Sequence, residues 1–179
     1  MTQPIPSVLK LGRLAAALTL VAAATVQFPL GAQAGSYSFE QFQVASPYNG
    51  ETRLPDFGGR DKQFRTYRTH IRNGLKEGPS FAGEYSVVQV GCGTGCSFAF
   101  IASNKTGEVF ELPRGGEEHL YMQLSFKPDS RLLIVQWGDF EAASCTIEYF
   151  EWTGRTAKLL GAKKVGSLDA CHSGIQDNL

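Results

Sequence analysis

Apolar and polar residues alternate in short runs through the second half of the chain, and each run is closed by turn-forming residues. The runs are Glu84 to Val90, Ser97 to Ser103, Glu108 to Leu112, Leu120 to Phe126, Arg131 to Trp137, Cys145 to Trp152 and Thr156 to Ala162. Period-two alternation predicts a strand in each. Asn104-Lys105-Thr106-Gly107, Lys127-Pro128-Asp129-Ser130 and Thr153-Gly154-Arg155 supply the turn chemistry between them. Connectors this short make neighbouring strands antiparallel, so the pattern predicts a meander in a single sheet. Leu132-Leu133-Ile134-Val135 is apolar at every position, which fits a central strand covered on both faces. The strands are too few for a propeller, which needs at least about four four-stranded blades.

A different period precedes the strands. Phe64, Tyr67, Ile71 and Leu75 fall at helical spacing, with Asp61 at the positive start of the dipole and Arg72 and Lys76 near its negative end. Gly74, Gly78 and Pro79 stop the pattern, so one long helix is expected over Asp61 to Leu75. The fold class that follows is α+β: one N-terminal helix packed on an antiparallel β-meander, stapled by disulfides. The helix is one expected cover for the sheet; the other is an aromatic arm or a curl of the sheet on itself.

The first 34 residues change the picture of where this domain works. Lys10 and Arg13 precede an uncharged run from Leu14 to Val26, and Ala32-Gln33-Ala34 fits a cleavage site, so residues 1–34 read as a secretory signal peptide. Gln27 and Pro29 close the run before the roughly 20 apolar residues that a span needs. A periplasmic or secreted product with no membrane span after cleavage is expected. Residues 35–60 are rich in Gly, Ser, Pro and Asn but carry Tyr37, Phe39, Phe42, Tyr48 and Phe57, which suits an extended N-terminal arm laid over the domain better than a linker. Residues 61–179 then form a single α+β domain. Without the leader, 145 residues remain, with 15 basic against 17 acidic side chains. That balance removes any global electrostatic case for nucleic acid as a partner.

The chain has four cysteines. In Gly91-Cys92-Gly93-Thr94-Gly95-Cys96 the glycines allow a sharp reversal that brings Cys92 within disulfide reach of Cys96. Three connectivities exist, and sequence separation favours Cys92 with Cys96 and Cys145 with Cys171. On the chain-entropy argument the short loop contributes about 2 kcal/mol and the longer one roughly 3 to 4 kcal/mol. Two alternatives use the same residues: a zinc site from Cys92, Cys96, Cys171 and His172, and a redox pair, although redox pairs use a tighter spacing at a helix start. No cofactor or metal is expected.

The string Phe81-Ala82-Gly83-Glu84-Tyr85, followed by Gly91 to Cys96, Lys105-Thr106-Gly107 and Asp129-Ser130-Arg131-Leu132-Leu133, resembles a family of uncharacterised secreted bacterial proteins. Its marks are an FAG-x-Y segment, a GCG-x-x-C turn and a lysine-threonine-glycine hairpin, and the likeness covers about residues 64 to 160. The resemblance implies a periplasmic or secreted β-rich domain and no activity. The family often carries a histidine where this chain has Glu84.

Candidate functional residues are sparse. Lys62, Arg65, Arg68, Arg72 and Lys76 form a basic stripe that suits either an acidic partner or plain solvation, with Glu108, Glu111, Glu117 and Glu118 available to offset it. His70, His119 and His172 are scattered, and neither a Gly-x-Ser-x-Gly elbow nor a His-Glu-x-x-His helix occurs. Glu148 and Glu151 fall on opposite faces of one strand and read as surface charge rather than an acid and base pair. Trp137, Tyr149, Phe150 and Trp152 form either a platform for a glycan or protein loop, or core. Asn104-Lys105-Thr106 matches a glycosylation acceptor and reads as a hairpin turn. The leading expectation is an exported non-enzymatic binding or inhibitor-like module of the bacterial cell envelope. Its partner would be an envelope protein or glycan, and Thr94 would sit in the inserting loop. The alternative is an envelope-associated enzyme with a site near Glu84, Tyr85 and His119.

Overall fold

The computed structural model describes residues 37–179, so the leader predicted at residues 1–34 lies outside the described residues. Among the described residues are the strands β1 (Tyr85–Gly93), β2 (Cys96–Ser103), β3 (Val109–Gly115), β4 (Leu120–Phe126), β5 (Leu132–Asp139), β6 (Ser144–Trp152) and β7 (Ala157–Ser167). Consecutive strands pair antiparallel, but in two sheets and not one: β1-β2-β3 and β4-β5-β6-β7. The break falls at Gly115 and Gly116, whose φ angles of 139° and 74° turn the chain out of the first sheet before β4 begins. Two sheets leave two apolar faces to bury, and packing face to face buries both. Ala99 and Ile101 of β2 and Leu112 of β3 meet Met122, Leu133, Val135, Phe150 and Trp152 of the second sheet, with Phe81 closing one end.

The outer faces have separate covers. A 3-10 segment (Lys62–Tyr67) leads into α1 (Arg68–Lys76), and this layer sets Phe64, Ile71 and Leu75 against Val88, Val90, Phe100, Ala102 and Val109 of the first sheet. The helix is therefore shorter than its spacing predicts and lies over β1 and β2, away from β5. Asp61, at its start, is 1% exposed. Its carboxylate accepts the Asp56 N–H at 2.9 Å and the Val109 N–H at 3.2 Å, and it pairs with Arg60, so it fastens the helical layer to β3.

The all-apolar β5 has its two covers elsewhere. Leu133 and Val135 face the opposing sheet, while Leu132 and Ile134 lie under Tyr37, Phe39, Phe42 and Ile175. Ile175 belongs to a second short helix, α2 (Ile175–Asn178), which follows a 3-10 turn over Leu168–His172. Gln123 and Gln136 clamp this tail: both side-chain amides donate to the Ser173 carbonyl, at 2.9 Å and 3.2 Å. A Cys145–Cys171 disulfide ties it to β6, and a Cys92–Cys96 disulfide closes the β1–β2 turn.

Residues 37–60 run over both sheets. The Tyr37 hydroxyl donates to the Leu160 carbonyl at 2.7 Å, Val44 N–H to Asp129, Tyr48 N–H to Gly83, and Arg53 N–H to Asn104. Asn104 of the acceptor-like tripeptide is fully buried, and its amide nitrogen donates to Ser86 Oγ at 2.7 Å, which makes it a structural clasp. Beside it Gly107 has φ of 73°, and a Cβ there would lie 2.5 Å from the Leu54 carbonyl oxygen. Gly107→Ala is therefore expected to lower stability by about 1 to 3 kcal/mol in urea unfolding, through left-handed strain and displacement of the arm.

Candidate functional site

One end of the molecule concentrates the unusual chemistry, and the β1–β2 hairpin defines it. Gly91, Cys92, Gly93 and Thr94 are successively exposed, while Cys96 is buried at the base. Gly93 and Gly95 take φ of 141° and 72°, which closes the reversal within reach of the disulfide. The tip is seated as well as stapled. The Tyr121 N–H donates to the Gly95 carbonyl at 2.7 Å, and the Tyr121 ring lies where a Cβ on Gly95 would need to be. Tyr121 has φ of 54°, at an irregularity in the β4–β5 register between Leu120 and Gln123. A tyrosine in the left-handed region is held there by its surroundings.

Two recesses flank the tip. A recess of about 440 Å³ is lined by Cys96 and Cys171, one from each disulfide, and by Tyr121 and His172, whose rings meet edge to face at 4.5 Å. A groove of about 510 Å³ lies on the outer face of the first sheet, between Tyr67 and β3. Its aromatic wall is a cluster of Tyr67, Phe98 and Phe100, with ring centroids 5.0 to 5.5 Å apart.

Behind the groove is a polar network inside the sandwich. Glu148 is 5% exposed. It accepts Arg114 Nε at 2.5 Å, Arg114 Nη2 at 2.7 Å and the Trp137 indole N–H at 2.8 Å. The Glu148 hydrogen bonds hold the Arg114 guanidinium above its ordinary pKa, against a smaller opposing effect of burial. His119 stacks edge to face on Trp137 at 4.5 Å. His119 Nδ1 lies 3.1 Å from the Gly115 carbonyl oxygen, an acceptor only, so that nitrogen carries the proton. Glu148 is thus an interior anchor between the two sheets and not the surface charge its strand position suggests.

The remaining predicted residues disperse. Glu84 accepts from Ser103 Oγ and lies near Lys105. The Tyr85 hydroxyl donates to the Gly154 carbonyl at 3.1 Å, and burial raises its pKa. Both stand at the Ser103 end of β2, whereas His119 contacts Gly115, which pairs with Phe98 five residues along the strand. At strand rise that is a separation of roughly 16 Å, so Glu84, Tyr85 and His119 do not share a site. Trp152 is 1% exposed, in the core between the sheets. Trp137 is half-buried on Glu148, so the two tryptophans form no surface platform. All four cysteines lie in disulfides, which takes the thiolates from the zinc alternative.

Lys62, Arg65, Arg68, Arg72 and Lys76 are all exposed, and none forms an ion pair with a described residue. Glu108 pairs with Arg155 rather than with this row. Arg72 also packs its guanidinium over Phe57, 5.3 Å from the ring centroid.

Comparison with protein-family models, with curated protein sequences and with solved structures finds no match to this chain.

Proposed function

We propose that this chain is an exported, non-enzymatic binding module of the bacterial cell envelope, inhibitor-like in offering a rigid loop to a partner protein. We also propose that it belongs with the secreted bacterial proteins it resembles. The observation that carries the reading is the Gly91–Cys96 tip: exposed, closed by a disulfide and seated on Tyr121. A loop ordered before contact loses little conformational freedom on binding, which is how small exported inhibitors reach useful affinity. Two disulfides suit an oxidising compartment. Among the described residues no helix is long and apolar enough to cross a membrane. The unpaired basic row on Lys62 to Lys76 steers an acidic partner surface toward the domain.

The tip is tested by Thr94→Arg in the exported chain, with cross-linked capture from envelope extracts compared against wild type. Thr94 is exposed, so thermal stability is expected to be unchanged while a protein captured by wild type is reduced about tenfold or more. Undiminished capture of the same proteins by the variant overturns the reading.

A further inference from the structure

We infer that the groove between Tyr67 and β3 receives an arginine side chain of a partner polypeptide. This deepens the proposal above, since it supposes that the end carrying the tip meets a protein.

The sheet itself builds the groove. Phe98 and Phe100 are two apart on β2, so both face outward, and Glu111 of β3 is the register partner of Phe100 on that same face. Phe100 is 2% exposed and forms the floor. Tyr67 and Phe98 are half-buried and form the wall, while Glu111 and Glu118 are exposed at the rim.

The charge is uncompensated. Neither Glu111 nor Glu118 has a cationic partner among the described residues. Arg114 also lines the groove, but its Nε and Nη2 are held by Glu148 and its Nη1 by the Pro113 carbonyl at 2.7 Å. Arg65 and Arg68 flank Tyr67 in sequence but do not line the groove.

Aromatic faces beside free carboxylates recognise a cation. A planar guanidinium suits both halves, since it stacks on rings and donates two parallel hydrogen bonds to a carboxylate, whereas an ammonium does neither as well. A volume of about 510 Å³ exceeds one side chain and admits the flanking peptide. The groove also lies beside the tip, because Phe98 is only two residues beyond Cys96.

The probe is acetyl-Gly-Arg-Gly-amide, titrated into the whole exported chain and followed by amide chemical shifts. The control is the citrulline peptide, which keeps the shape and removes the charge. Saturable shifts are expected at Phe98, Glu111, Gly115 and Glu118, and about tenfold weaker binding for citrulline and for the Glu111→Gln/Glu118→Gln variant. Both glutamates are exposed, so that variant is expected to keep its thermal stability. Equal affinity for the two peptides, shifts confined to other surfaces, or no saturable shifts overturn the inference. Thr94→Arg separates the two proposals. It leaves arginine binding intact if the groove inference holds, whatever happens to partner capture, and loss of arginine binding in that variant counts against the groove.

Discussion

Arg114→Met is expected to lower the unfolding free energy by about 3 to 5 kcal/mol, because it strands a carboxylate inside the sandwich. Glu148 is 5% exposed and would keep only the Trp137 indole as a donor. The larger part of the expected loss is the penalty for an uncompensated buried charge, not the value of the ion pair itself. The sign of a second substitution therefore separates the two. Adding Glu148→Leu to Arg114→Met is expected to recover most of the loss, since an apolar pair of similar size needs no desolvation of charge. The half-buried Trp137 indole can then turn to solvent for its partner. Urea unfolding at neutral pH with disulfides intact measures all three proteins. A single variant within about 1 kcal/mol of wild type would show that water reaches Glu148 and that the sheets are not joined by this network.

The second large effect is expected from Cys145→Ser/Cys171→Ser. A loop with a sequence separation of 26 contributes about 3.5 kcal/mol by chain entropy, against about 2 kcal/mol for the tip disulfide. More than entropy is lost here. Cys171 holds the 3-10 turn that leads to Ile175, and Ile175 lies on Leu132, Ile134 and Ile147. The glutamine clamps at Gln123 and Gln136, the Gln176 contact with Ser125 and the packing of Ile175 are then left to retain the tail. The variant is expected to show a lower urea midpoint than Cys92→Ser/Cys96→Ser, and proteolytic cleavage after Ser167 before global unfolding. An equal midpoint for the two variants would mean that the tail is held by its side chains and not by the disulfide.

The sequence carries the strands better than it carries their assembly. Alternation marks each strand within a few residues, because a half-buried strand has the same period whatever lies against it. For the same reason alternation does not count sheets. Gly115-Gly116 looks like any other turn, and the change of layer shows in the strand pairing and in the core that Leu112 shares with Leu133. The shortened helix has a local cause: the Asp61 carboxylate that would serve the helix start serves Asp56 and Val109.

The site residues divide in the same way. The tip is local and legible, since glycines and cysteines at fixed spacing specify a closed reversal. Glu148 also left a signal. It alternates with Phe150 and Trp152 on one face, as Arg114 does with Leu112, so both charges fall on strand faces otherwise reserved for core. The groove had none. Tyr67, Phe98 and Glu111 come from three elements, and no periodicity in one element records what faces it from another.

The arm imposes an order on folding. Tyr37 lies on Leu160, a sequence separation of 123, and Tyr37, Phe39 and Phe42 cover a face built from β5, β6 and the tail. A chain that emerges N-terminus first presents these three aromatic rings before the surface that receives them exists. The first sheet and its helix can close early from near neighbours, but the second must wait for its own last strand and then recapture the oldest part of the chain. Closure of such distant contacts is slow, so docking of the arm on the second sheet is expected to be among the last packing steps.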